Sequence, residues 1–143
     1  MFRKSLFILV FIAIGCRSTK QLNTDKAAIK QVLFQSAKDW NNGDMAAYMN
    51  AYWKSDKLQF IGRNGITYGW EQTLKNYLKS YPNKEVMGML SFEILDLQYR
   101  SKNVYTLVGT YHLERKSSNA DGIFSLLFER KDGIWCITSD HSE

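Results

Sequence analysis

An α+β domain, helices first and a curved antiparallel sheet after them, is the fold class this sequence predicts, on three observations. Apolar residues between positions 24 and 81 recur at helical three-to-four spacing. Those after position 89 alternate with polar ones, as strands half-buried on one face require. Two dipeptides, Asn64-Gly65 and Asp132-Gly133, carry the chemistry of tight hairpin turns.

The front of the chain stands apart from that domain. Arg3 and Lys4 precede an uncharged apolar run from Leu6 to Ile14, closed by the small residues Gly15 and Cys16. This is the layout of a secretory signal, and the run is too short for the ~20 residues of a membrane-spanning helix. The segment Ala13-Ile14-Gly15-Cys16 resembles the bacterial lipobox. That resemblance implies that residues 1 to 15 are removed and that Cys16 is acylated, which anchors the protein on a membrane in the periplasm or cell envelope. Residues 16 to 23 then read as the lipidated cysteine and a polar tether, and residues 24 to 143 as one domain.

Removing residues 1 to 15 from a chain of 143 leaves 128, enough for one core and too few for two. The formal charge of +5 falls to +3 without Arg3 and Lys4, and the basic residues are scattered along the chain. Nucleic-acid binding is therefore not expected, since it calls for a basic face. Cys136 is the only cysteine left besides Cys16, so it reads as a buried thiol. Two histidines and one free cysteine offer no metal-ligand spacing, and no cofactor motif is present.

Each element follows in order. Ile29, Val32, Leu33, Ala37 and Trp40 form the apolar stripe of a first helix, which Gly43 ends; Asp44 caps the next. Met45, Tyr48, Met49 and Tyr52 make a second stripe, with Trp53 beside it. Leu58 to Tyr68 reads as a hairpin around Asn64-Gly65. Trp70, Leu74, Tyr77, Leu78 and Tyr81 mark a third helix, stopped by Pro82.

Four strands complete the pattern. Leu90, Phe92 and Ile94 share one parity, whereas Leu95, Leu97 and Tyr99 take the other, so an extra residue near Ile94 is expected to bulge and bend the strand. The turn at 101 to 103 sets Tyr99 opposite Tyr105, and Asp132-Gly133 sets Phe128 opposite Ile137, Leu126 opposite Ser139 and Phe124 opposite His141. On that register Tyr111, Phe124, Trp135, Ile137 and His141 face the helices. His112, Ser125, Cys136, Thr138 and Asp140 fall on the mixed outer face.

The order of elements, together with Trp40, Gly43-Asp44, Tyr68-Gly69, Gly109-Thr110-Tyr111 and the ending Trp135-Cys136-Ile137-Thr138-Ser139-Asp140-His141-Ser142, resembles the nuclear transport factor 2-like superfamily, which includes SnoaL-like cyclases and ketosteroid isomerases. The ending is similar to the W-x-I-x-x-D-H-S of a branch of unknown function. The resemblance covers residues 24 to 143. It implies a cystatin-like cone, in which a curved sheet wraps three N-terminal helices and leaves a pocket at the wide end, and a homodimer formed through the outer sheet face.

Within such a cone the candidate pocket residues are Trp40, Tyr52, Trp53, Tyr68, Tyr111 and His141. His141 is the candidate catalytic residue, as an imidazole desolvated among aromatic rings. Asp140 and His141 are neighbours on a strand and point to opposite faces, so they form no dyad. A row of His112, Ser125 and Asp140 has the serine in the middle, which is the wrong order for a hydrolytic triad. The strand that carries the general-base aspartate of ketosteroid isomerases corresponds here to Leu58-Gln59-Phe60-Ile61-Gly62-Arg63, without a carboxylate. Arg63 reads as solvated or as a contact for an anion. Three functions stand: a non-catalytic binder of a small apolar or aromatic molecule, a small isomerase, cyclase or dehydratase using His141 with Tyr52 or Tyr111, and a structural dimerisation module.

Overall fold

A computed structural model of the protein describes residues 18 to 143. The segment expected to be an export signal, and Cys16, expected to be acylated, lie outside the described residues. Helix α1 spans Thr19–Asn42, followed by a short α2 (Met45–Tyr48), a 3-10 turn (Met49–Ala51), the strands β1 (Gln59–Gly62) and β2 (Gly65–Tyr68), α3 (Trp70–Ser80) and the single turn α4 (Lys84–Met87). Strands β3 (Met89–Ser101), β4 (Val104–Glu114), β5 (Ala120–Lys131) and β6 (Ile134–Ser142) complete the chain. The six strands form one sheet in the order β2-β1-β6-β5-β4-β3. Among the described residues no helix is long and apolar enough to cross a membrane.

Helix α1 begins at Thr19, so residues 19 to 23, expected to be tether, are helical. Ser18 caps it, its Oγ accepting from the Gln21 amide at 3.3 Å. The apolar spacing hides this turn because the inward position at 25 is a carboxylate. Asp25 is buried and pairs with the Arg130 guanidinium on β5, which also lies 4.6 Å from the centre of the Trp135 ring. Gly43 ends α1 at φ +80°, where its amide reaches back to the carbonyls of Asp39 and Trp40. Asn41 then clamps the start of β3, donating to the Leu90 carbonyl at 3.0 Å and accepting from the Leu90 amide at 2.7 Å.

The core lies between α1 and the inner sheet face, where Ile29, Leu33, Tyr105, Leu107, Phe128 and Ile137 are buried. Burial of that apolar area, at about 25 cal/mol per Å², is the main force holding helix to sheet. In α3, Trp70 is buried and its indole N–H donates to the Met49 carbonyl at 2.8 Å, whereas Leu78, expected in the stripe, is 52% exposed. Tyr99 pairs with Tyr105 as predicted, Leu97 lies opposite Leu107, and the register shift between Ile94 and Asp96 makes Leu95 the extra residue that bends β3.

The β1–β2 hairpin joins the same sheet, because β1 runs parallel to β6 with Phe60 beside Asp140, and the sheet is mixed although mostly antiparallel. One expectation for the sheet fails, because strand β6 carries a bulge of its own. Phe128 pairs with Ile137 as expected, but Leu127 pairs with Ser139, leaving Thr138 as an extra residue. Every side chain after it changes face, so Leu126 lies opposite Asp140 and Phe124 opposite Ser142.

Candidate functional site

The bulge at Thr138 decides the chemistry of the interior. It turns Asp140 inward, where it is 3% exposed, and sets His141 on the outer face opposite Ser125. His141 is exposed, with its Nε2 3.4 Å from a Glu143 carboxylate oxygen. It is therefore neither a pocket residue nor placed for catalysis inside the cone. The row of His112, Ser125 and Asp140, already in the wrong order for a triad, does not form, since Asp140 is on the other side of the sheet and His112 pairs with Asp121 at 2.5 Å.

Inside the cone lies a cavity of about 410 Å³. Its floor is apolar, formed by Leu33 and Trp40 of α1 and by Leu90, Phe124, Leu126 and Ile137 of the sheet. The rim is polar and exposed, with Arg63, Asn64, Asn76, Ser80 and Glu143. Between floor and rim stand aromatic rings. Trp40, Tyr48, Tyr52, Phe60, Tyr77 and Tyr81 contact one another at centroid separations from 4.8 to 6.1 Å, mostly edge to face.

Of the sequence candidates, Trp40, Tyr52 and Tyr111 line this cavity. Trp53 does not: its ring lies outside, 4.6 Å from the Lys131 ammonium, and its amide donates to the Ile137 carbonyl. Tyr68 does not either, being 56% exposed on the edge strand β2. Tyr68 points away because its neighbour Thr67, paired with Phe60, lines the cavity, and adjacent strand residues face opposite sides.

Tyr111 reaches the cavity because its cross-strand partner is Gly122. A β-carbon at Gly122 would stand 2.5 Å from the Tyr111 ring and would collide with the Glu143 carbonyl oxygen. The missing side chain is the space that the ring occupies.

Asp140 ends a line of phenols. Its Oδ2 accepts from the Tyr52 hydroxyl at 2.7 Å and its Oδ1 from the Ser142 hydroxyl at 2.5 Å. The Tyr52 oxygen lies 3.2 Å from that of Tyr48, which lies 3.4 Å from that of Tyr77. A phenol has one hydrogen. Because that of Tyr52 goes to Asp140, Tyr48 must donate to Tyr52 and Tyr77 to Tyr48. The line is polarised toward the carboxylate.

Burial raises the Asp140 carboxyl above its ordinary range, against the hydrogen bonds from Ser142 and Tyr52 and the charge of His141, which lower it. Burial likewise lifts the Tyr48 phenol to about 12, helped by the charge of Asp140. Tyr52 and Tyr77 are raised for the same first reason. All three phenols are neutral donors at physiological pH.

The sequence-based reading missed Asp140, Tyr48 and Tyr77 as site residues. Tyr48 and Tyr52 are four apart and so share one side of a helical turn. For Asp140 the sequence held no such signal: it is three residues beyond the buried Ile137, which in a regular strand faces it outward, and only the bulge at Thr138 turns it inward.

The same architecture occurs in known proteins. No protein-family model matches the sequence, and neither does any curated protein. Among solved structures, an NTF2-like protein of unknown function from Shewanella oneidensis MR-1 is 38% identical, with a TM-score of 0.80 over 82% of this chain and 98% of that one. A domain of unknown function with a cystatin-like fold from Nostoc punctiforme superposes with a TM-score of 0.71 at 15% identity, over 88% of this chain and 78% of that one. A ketosteroid isomerase-like protein from Erwinia carotovora atroseptica shares the fold at 14% identity and a TM-score of 0.65, over 84% of this chain and 95% of that one. At 38% identity over nearly the whole of the Shewanella protein, shared ancestry accounts for the likeness, and the chain belongs to the nuclear transport factor 2-like superfamily.

Proposed function

We propose that this protein is an exported lipoprotein, held on a membrane of the cell envelope through Cys16, whose cone binds a small molecule with an apolar or aromatic body. The observation that carries the binding reading is the aromatic-walled cavity of about 410 Å³, within the size range of small-molecule sites. Buried Tyr and Trp present both apolar faces and polar tips, which suits a flat ligand with few polar atoms. Flat aromatic and alicyclic compounds, screened against the full chain, are expected to raise its Tm. No shift from any of them, together with a crystal structure showing the cavity filled by side chains, would overturn the reading. Export and anchoring rest on the Arg3-Lys4, apolar-run and Cys16 pattern. Labelling with a radioactive fatty acid should mark the wild type and not Cys16→Ser.

A second reading, a small isomerase, cyclase or dehydratase, is favoured by one observation. Asp140 is a buried carboxylate on the cavity wall, fed by hydroxyl donors, and it takes the place that the sequence gives to His141. Full turnover of an identified substrate by a folded Asp140→Asn variant would exclude a base role for it. For the outer sheet face, where Val108, Thr110 and Ile123 lie together, we propose a homodimer contact. Sedimentation as a monomer at high concentration would count against that.

A further inference from the structure

One wall of the cavity presents a line of hydrogen-bond acceptors. Ser142 and Tyr52 have given their hydrogens to Asp140, Tyr48 has given its own to Tyr52, and Tyr77 to Tyr48. What remains there is lone pairs, on Tyr77 at one end of the line and on the carboxylate at the other.

Among the described residues the carboxylate makes no ion pair, and the charge of His141 acts on it only from the outer face of the sheet. Both its hydrogen-bond partners are neutral hydroxyls. Arg63, the one basic residue of the cavity lining among the described residues, is exposed at the rim. A buried anion without a cation is costly, and a ligand that brings the cation recovers that cost. The surrounding rings favour the same occupant, because the faces of Trp and Tyr attract cations and do so more strongly when desolvated.

We propose that the cavity selects an organic ammonium ligand, a primary or secondary amine on a flat apolar body, whose N–H groups bind the Asp140 carboxylate within the cage of Trp40, Tyr48, Tyr52 and Tyr77. This rests on the binding reading above and names the ligand class for it. Burial, which raises the Asp140 carboxyl, is then offset by the ammonium charge.

The test compares two ligands of the same shape, 2-(1-naphthyl)ethylamine and 2-(1-naphthyl)ethanol, by isothermal titration calorimetry on the full chain at neutral pH. The amine is expected to bind at least tenfold more tightly than the alcohol, and Asp140→Asn to remove that preference. Equal affinity of the two ligands for the unaltered chain would overturn the amine assignment and leave the cavity reading standing. A preference that survives Asp140→Asn would also overturn it. If neither ligand binds, the amine assignment is overturned, and the broader screen then decides the cavity reading. The comparison on the unaltered chain does not depend on the variant folding.

Discussion

Tyr52 donates its phenolic hydrogen to Asp140 across 2.7 Å, a bond between residues 88 apart that ties the end of the helical segment to the last strand. It is buried, and one of its partners is a carboxylate, so it is stronger than an average neutral hydrogen bond. Both the stability of the fold and the polarity of the cavity pass through it.

Tyr52→Phe keeps the ring and removes the donor. An acceptor is then left short of a partner in a buried place, which costs about 1–3 kcal/mol. Urea denaturation should show that loss. Tyr77→Phe, at the far end of the line and 3.4 Å from Tyr48, should cost less, about 0.5–1.5 kcal/mol.

Asp140→Asn tests the titration of the buried carboxyl. Its folded pKa lies above that of the unfolded chain, with burial the main cause. The fold therefore holds this proton more tightly, and the stability this supplies is complete below the unfolded value, about 4. It is lost as pH rises through the folded pKa. Asparagine does not ionise and escapes the loss. The stability of Asp140→Asn relative to wild type should therefore rise from acid toward neutral pH and level off above the folded pKa. A difference independent of pH would contradict the assignment.

His141→Ala should change little. The side chain is half exposed and faces away from the cavity, so the expected loss is within about 0.5 kcal/mol, as for an ordinary surface position. Ligand-induced shifts in Tm should be those of the wild type. A larger effect on binding would return His141 to the site.

Gly122→Ala should be costly despite its small size. The added carbon meets the Tyr111 ring and the Glu143 carbonyl at distances that force both to move. Overpacking of this kind costs about 1–3 kcal/mol. Thermal denaturation should show a lower Tm, and any ligand that touches Tyr111 should bind more weakly.

Asp25→Ala tests why α1 begins where it does. Arg130 would lose the buried carboxylate that it pairs with, for a cost of about 3 kcal/mol. Amide hydrogen exchange should show the first turns of α1, residues 19 to 28, opening before the rest of the helix.

Much of this fold was legible because regular elements repeat. The stripe Ile29, Leu33, Ala37 and Trp40 is buried, Asn64-Gly65 and Asp132-Gly133 turn the chain, and the jump in parity at Leu95 marks the bulge in β3. In each of these the side chains themselves report the period. The start of α1 was less legible, because a charged residue at an inward position looks like surface until its partner, Arg130, is known.

By itself, then, the sequence determined the α+β order, the three amphipathic stripes, the aromatic richness of the interior and the absence of a carboxylate on β1. Only the tertiary structure decided that Thr138 is an extra residue. Strand β6 must pair with β5 antiparallel and with β1 parallel at once, and those two ladders jointly fix which residue is left over. One residue of register exchanges the two faces of a strand. Here that exchange put Asp140 in the cavity and His141 on the surface, a result of pairing with distant segments that no local pattern of Trp135 to Ser142 settles alone.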